Sequence, residues 1–537
     1  MNERSIWSVD TPIGVFVAAV VLLWSLVGGA SQNVVGDATR PRWSHLPPLP
    51  TTRPLEEAPK GPLGEKLTAE QALGSPLPSS AAGPPEPHAL PKAPAQPRAL
   101  RFTLEMAINR ALTANRGIGD AADRVTGSRY SLAAAAAEFE LKIIPGADVG
   151  FSGSGKDDAQ ETLGAGVVLQ KKFSTGTEVA IGPSVKKRAG EHATGVDVTL
   201  TQPLLRGFNL EHNLSGIYAA EYAARSARRS LYITQVDTVL WTVSGVYEVV
   251  RQRELVRLNE ASAERLRGHA EAARVKGRIG LSTLIDVYRA GIQLKRAEDN
   301  LATAREAYRD ALDNLKIIFA TPLEQEIEVE APLEFERIEI SEASAVALAL
   351  KNRVELRQAE DTLDETMRKS RVARHNTLPE LNVVLNYSRF GSAEDFGQST
   401  RFDEDNWNVG LMTSTDIART AERAAYEQSL LALKAANRSL GLKKDEVARQ
   451  VKRELRNLRR ADKRITIQQE QIKQAEGKLE LSRIKFSRGL ANNFDVIEAE
   501  SELRQAQTSL LSAVTEYIVG SYRLRAVLGT LLEKPSF

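Results

Sequence analysis

No proline falls between Pro203 and Pro322, and none between Pro379 and Pro535. Proline breaks helices and is excluded from central strands. Proline-free runs of 118 and 155 residues therefore permit helices far longer than a globular core needs. The rest of the proline is crowded: fifteen of the 23 lie between Pro41 and Pro97. The chain divides into a leader that cannot pack and a body built for length.

The leader has two parts. Gly14 to Val27 is an apolar run followed by Gly28-Gly29-Ala30, which reads as a signal peptide over residues 1–30, cut after Ala30. The run falls short of the ~20 apolar residues of a comfortable membrane span. An uncleaved inner-membrane anchor is the alternative. Residues 31–100, with segments such as LPPLPTTRP, read as a disordered, Pro-rich spacer.

Composition excludes several functions. With 71 basic and 69 acidic residues, the chain has no basic excess for a dedicated nucleic-acid binder. It has no cysteine, which removes disulfides, thiolate metal sites and cysteine nucleophiles. Phosphate loops, GxSxG and HExxH are missing, and none of the six histidines is paired at metal-ligand spacing. No catalytic residue, cofactor or metal is expected.

The body repeats itself. Arg274–Ala290 (RVKGRIGLSTLIDVYRA) aligns without gaps on Arg483–Ala499 (RIKFSRGLANNFDVIEA), with seven of seventeen positions identical. At the same offset of 209, Leu294, Leu301, Tyr308 and Leu315 match Leu503, Leu510, Tyr517 and Leu524. Both series step by seven, as in a coiled-coil seam. The preceding helices are predicted over Leu210–Lys276 and Ala418–Phe486. Each would reach about 100 Å at 1.5 Å per residue. Leu458, Ile465, Ile472, Leu479 and Phe486 hold a strict seven-residue interval in the second. Shorter helices open each half, over Thr103–Phe139 and Glu342–Asn376, sharing the pairs Asn115-Arg116 and Asn352-Arg353. The halves span 101–322 and 341–533, with a linker at 323–340.

Between helices the period changes to two. Leu381, Val383, Leu385 and Tyr387 alternate with Asn382, Val384, Asn386 and Ser388. A partner strand puts Trp407, Val409 and Leu411 on one face, and Val196, Val198 and Leu200 repeat the pattern in the first half. Such alternation fits a transmembrane barrel or a sandwich with one wet face. The first half holds an additional hairpin, Leu163–Leu169 and Thr177–Val185 about Ser174-Thr175-Gly176. It makes six strands per chain, joining the sheet or folding as a cap or periplasmic flap.

The tip segments RIGLSTLIDVYRA and SRGLANNFDVIEA, with VTLTQPLLRGF at 198–208, resemble the TolC-like outer membrane efflux protein family. The resemblance covers residues 101–533. It implies an α+β membrane protein: a homotrimeric transmembrane β-barrel continued into a long periplasmic α-helical coiled-coil barrel, two repeats per protomer. It places the protein in the outer membrane of a Gram-negative-type cell, in contact with outer-membrane lipid. The implied function is a passive exit duct for tripartite efflux or type I secretion, docked on a periplasmic adaptor bridged to an inner-membrane pump. The rival reading is an inner-membrane-anchored periplasmic adaptor or scaffold. Three features depart from the family plan: Asp416 in place of a proline, Gly277 in place of an aromatic residue, and the extra hairpin. With that hairpin in the wall a trimer would hold eighteen strands against the family's twelve.

The resemblance also implies a gate at the tips. Asp495 and Glu498 occupy positions where relatives carry gate aspartates, and Asp286 is the equivalent of Asp495. Arg278 and Arg488 are candidates to pair with Asp286 or Asp495. Asp at these positions also suits a plain helix cap. Gly280-Leu281 and Gly489-Leu490 are the expected helix reversals and adaptor contacts.

Overall fold

The computed structural model describes residues 100–533, except 153–159, Ala189 and Leu281. The signal peptide and the Pro-rich spacer lie outside these residues, apart from Leu100.

The chain enters through strand β1 (Leu100–Thr103), which pairs in parallel with β6 (Ile327–Glu330). The segment between the repeats is thus partly strand, anchoring the start of the first repeat to the linker before the second. Thr103 caps helix α1 (Leu104–Ala114). The single opening helix expected in each half is broken at the Asn-Arg pair. In the first, Asn115 is extended between α1 and α2 (Arg116–Ala136), caps Gly117 and donates to the Ile318 carbonyl at 3.0 Å. In the second, Arg353 is extended between α6 (Glu342–Asn352) and α7 (Val354–Asn376) and donates to the Val527 carbonyl at 3.5 Å. Ile318 and Val527 stand 209 apart, so both breaks are pinned to the same repeat position.

Strands β2 (Lys142–Ser152), β3 (Gln160–Lys172), β4 (Glu178–Arg188), β5 (Glu191–Pro203), β7 (Asn382–Ala393) and β8 (Glu404–Met412) form one antiparallel sheet. Their order is β2-β3-β4-β5-β7-β8. The extra hairpin, β3–β4, lies in this sheet between β2 and β5. Register sorts the faces. Leu411, Val383 and Gln202 share one row; Val409, Leu385, Leu200 and Val179 share the next; Trp407, Tyr387, Val198 and Ile181 the next. Apolar side chains dominate this face, and many stay open: Trp407 is 61 % exposed and Phe151 75 %. The opposite face carries Asn386, Asn408, Thr199, Ser184 and Asp197. Among the described residues, no long helix covers either face.

Below the sheet run two helical hairpins. After the short α3 (Leu210–Asn213), α4 (Ser215–Arg278, 64 residues) turns into α5 (Leu284–Ile318). After the short α8 (Phe396–Ser399) and β8, α9 (Thr420–Ser487, 68 residues) turns into α10 (Asn493–Leu528). Both long helices reach about 100 Å. Asp416, where a proline was expected, accepts from the Ala418 amide at 3.1 Å, and Arg419 takes the left-handed conformation just before α9.

Coiled-coil packing follows the seam read from the sequence: Leu315, Leu503, Tyr517 and Leu524 are buried. A finer stripe escaped notice. Ala290, Ala297, Ala304 and Ala311 are buried along α5, and Ala499, Ala506 and Ala513 along α10 at offset 209. Gly520 completes the second series, 3.4 Å from Leu458 where a β-carbon would stand. Small residues at one seam position let neighbouring helices approach, while leucines fill the other. Among the described residues no helix is long and apolar enough to cross a membrane.

Candidate functional site at the hairpin tips

Each tip is a helix stop, a glycine and a helix start. Gly280 and Gly489 have φ of 74° and 77°, the left-handed region that ends a helix. The new helices are capped by polar side chains. Thr283 accepts from the Asp286 amide at 3.2 Å and donates its hydroxyl to the Asp286 carboxylate at 2.6 Å. Asn492 and Asp495 form a reciprocal capping box, at 3.2 and 3.1 Å. Both aspartates therefore have a local task before any gating task.

The expected arginine ties do not form within the protomer. Among the described residues, neither Arg278 nor Arg488 pairs with Asp286 or Asp495. Asp286 faces Arg289 of its own helix at 4.0 Å, and Glu498 meets Lys478 at 3.5 Å. Arg278 and Arg488 lie at the ends of α4 and α9, where their charge complements the helix dipole. Leu490 is 74 % exposed, as a docking side chain would be. Leu281 lies outside the described residues. Ile279, Leu284 and Ile285 extend the apolar surface around the first turn, each more than 60 % exposed.

The hairpins are tied by other residues. Glu500, 3 % exposed on α10, takes Arg265 of α4 at 2.6 Å and Arg483 of α9 at 3.4 Å. Asn493, 1 % exposed, donates to the Asp286 carbonyl at 2.7 Å. Its side-chain oxygen contacts His269 Nε2. Since the Asn493 amide group is engaged as a donor, His269 Nε2–H is the donor of that second bond. Lys276 donates to the Phe486 carbonyl at 2.8 Å, its ammonium 3.9 Å from the Phe486 ring centre. The His269 ring stands 5.0 Å from the same ring. Burial holds the His269 pKa below its ordinary value; Arg483 and Lys276 push the same way, against the Asn493 bond and Glu500.

Sequence reasoning missed Arg265, His269, Lys276, Asn493 and Glu500. One signal was available. Against the repeat, Asn493 stands where the first tip has Leu284, and Glu500 where it has Gly291. A polar residue present in one copy of a repeated helix marks a contact the other copy does not make.

The comparisons agree with this architecture. Residues 345–530 match the family model "Outer membrane efflux protein". Outer membrane protein TolC of Escherichia coli (strain K12) is 22 % identical over 361 residues, covering 64 % of this chain and 71 % of TolC. TolC of Vibrio cholerae is 23 % identical over 378 residues, 67 % of this chain and 85 % of the relative. The chain is thus similar to the TolC-like outer membrane efflux proteins, most directly over its second repeat. Among solved structures, the Campylobacter jejuni CmeC outer membrane channel superposes with a TM-score of 0.65 at 12 % identity, over 81 % of this chain and 87 % of that one. At that identity the match speaks for the fold alone. The match to the family model falls within the second repeat; the first carries the additional hairpin.

Proposed function

We propose that three copies of this efflux protein close one barrel in the outer membrane and one helical tunnel in the periplasm, forming the exit duct of a tripartite system. The observation that carries the reading is the uncovered apolar face of the six-stranded sheet. An open sheet with free edges is not tolerated in lipid. β2 and β8 are the two edges, so cyclic pairing of β8 with the β2 of the next copy removes both. The polar face then lines a wet lumen.

The tips supply the gate and the dock. Repetition by threefold symmetry turns Asp495 and Glu498 into rings of carboxylates, which attract cations and repel one another. Asp286 adds to this field, while the ties through Glu500 and Asn493 hold the two hairpins together. Leu490 and its exposed apolar neighbours are the surface offered to a periplasmic adaptor, with the inner-membrane pump beyond it. No nucleotide is needed, because energy enters through that pump.

In planar bilayers, Asp495→Ala with Glu498→Ala raises conductance at low voltage and lessens block by divalent cations. Unchanged conductance and block removes these carboxylates from the gate. Asn492→Ala is the control that weakens the cap while leaving the carboxylates in place.

A further inference from the structure

The hairpin β3–β4 is built into the wall on every side. β3 pairs with β2 from Lys142↔Gln170 to Ser152↔Gln160, and β4 pairs with β5 from Glu178↔Thr201 to Arg188↔Glu191. Its faces are sorted like those of its neighbours. Leu163, Leu169, Val179, Ile181 and Val185 fall on the apolar face. Gly164, Gly166, Gln170, Ala180, Gly182 and Ser184 fall on the other. Its lower turn is bolted to the helical section. Asn213 donates to the Ser174 carbonyl at 3.2 Å, Lys172 meets Glu138 at 2.6 Å, and Gly176 (φ 88°) is packed against the Gly207 carbonyl.

The polar face is also rich in glycine, although Ile144, Lys186, Arg188 and Phe390 lie on it too. Seven of the eight glycines in the sheet lie on it: Gly146, Gly150, Gly164, Gly166, Gly182, Gly195 and Gly410. Glycine weakens a strand, so its concentration on one face has to be accounted for by what that face does. At Gly146 and Gly150, which face open space, clearance of a lumen does so; beside Gly164 and Gly195 the side chains of Asp148 and Phe390 take the room.

We propose that the outer-membrane section of this duct is an eighteen-strand barrel with a glycine-rich inner wall, and that it passes cargo too bulky for a twelve-strand exit. The count rests on the trimer proposed above; the width is the new claim. Tilted strands spaced about 4.8 Å apart put eighteen-strand walls roughly 35 Å apart, against roughly 24 Å for twelve. Barrels of 16–18 strands leave an aqueous channel even with ordinary side chains inside.

The cysteine-free chain permits a direct test. Ile181→Cys, Gly182→Cys, Ser184→Cys and Val185→Cys are made singly in the full chain, reconstituted in liposomes and treated with a membrane-impermeant maleimide. Cross-linking in detergent first establishes the subunit number and that each variant assembles. Cysteine at 182 and 184 is expected to react at least tenfold faster than at 181 and 185. Polyethylene glycols of graded size, added on the barrel side of a planar bilayer, then size the exit. The expected cut-off is about 1.5 times the diameter that a twelve-strand barrel admits. Equal labelling of both faces in a trimer overturns the hairpin's place in the wall. Alternating labels with a twelve-strand cut-off overturn the width. A monomer in cross-linking overturns the trimer itself, and with it the strand count.

Discussion

At the first tip Gly277 lies beneath Val287; at the equivalent place in the second stands Phe486, with Lys276 of the first hairpin over its ring. The backbones match: each tip reverses at a left-handed glycine and restarts on a cap that includes an aspartate. What differs is the direction of the side chains' business. On the returning helices, the first tip leaves Leu284 exposed, while the second reaches across with Asn493 and Glu500. The two copies thus share the turn, and the latch, the ties made from a returning helix, belongs to the second copy alone among the described residues.

Making the tips alike breaks the comparison most severely from the first side. A β-carbon on Gly277 would stand 2.8 Å from Val287 Cγ2. Gly277→Phe is expected to cost about 2–3 kcal/mol by overpacking. Amide exchange at the α4–α5 turn should accelerate at least thirtyfold, with little change at the α9–α10 turn. Protection unchanged at both turns would show that the first tip has room and that its glycine is incidental.

Asn493→Leu makes the second tip resemble the first at one position and removes both bonds across the hairpins. A loss of about 1–2 kcal/mol in tip stability is expected, read as raised single-channel conductance with normal assembly. If conductance stays at the parental level, the latch does not restrain the gate.

Glu500→Gln tests the charged part. Its carboxylate is buried, but Arg265 and Arg483 are 31 % and 48 % exposed, so screening reduces the expected loss to about 1 kcal/mol. Its effect should shrink in high salt, whereas that of Asn493→Leu should not.

The smallest effect is from pH. His269 in the closed tip has a pKa below its ordinary 6.5, so an opened tip binds more protons as pH falls. Closure is fully favoured above that ordinary value and weakens as pH drops from it toward the folded pKa. Conductance should rise modestly over that interval in the parent. His269→Gln should flatten the rise; a parental response in that variant assigns the pH dependence elsewhere.

Much of this fold was legible because periodicity is written locally. The seven-residue seams, the period-two strands and the repeat placed nearly every long element before any coordinates. The break at Arg353 was not legible, because arginine suits a helix and its carbonyl partner lies on a distant hairpin; Asn115 offered a cap signal, but its bond to Ile318 did not show. The same holds for the latch. Glu500 sits on a helix whose charges look solvated until α4 and α9 are laid beside it. Gly280 and Gly489 were readable, since the left-handed turn demands glycine at that spot. The partners of Arg278 and Arg488 were not, since charge sign alone names no neighbour.

The pairing of β5 with β7 joins His192 to Ala393 and Pro203 to Asn382, across nearly two hundred residues. Such a closure is slow to form, and its edges are exposed while it waits. During synthesis the first repeat emerges with four strands, an apolar face and no partner for β5. The helical hairpin α4–α5 can zip up at once from local contacts, but the sheet stays incomplete until the second repeat has crossed the same distance. Biogenesis therefore has a vulnerable interval set by chain order. During it the half-made protein needs shelter from water and from its own copies.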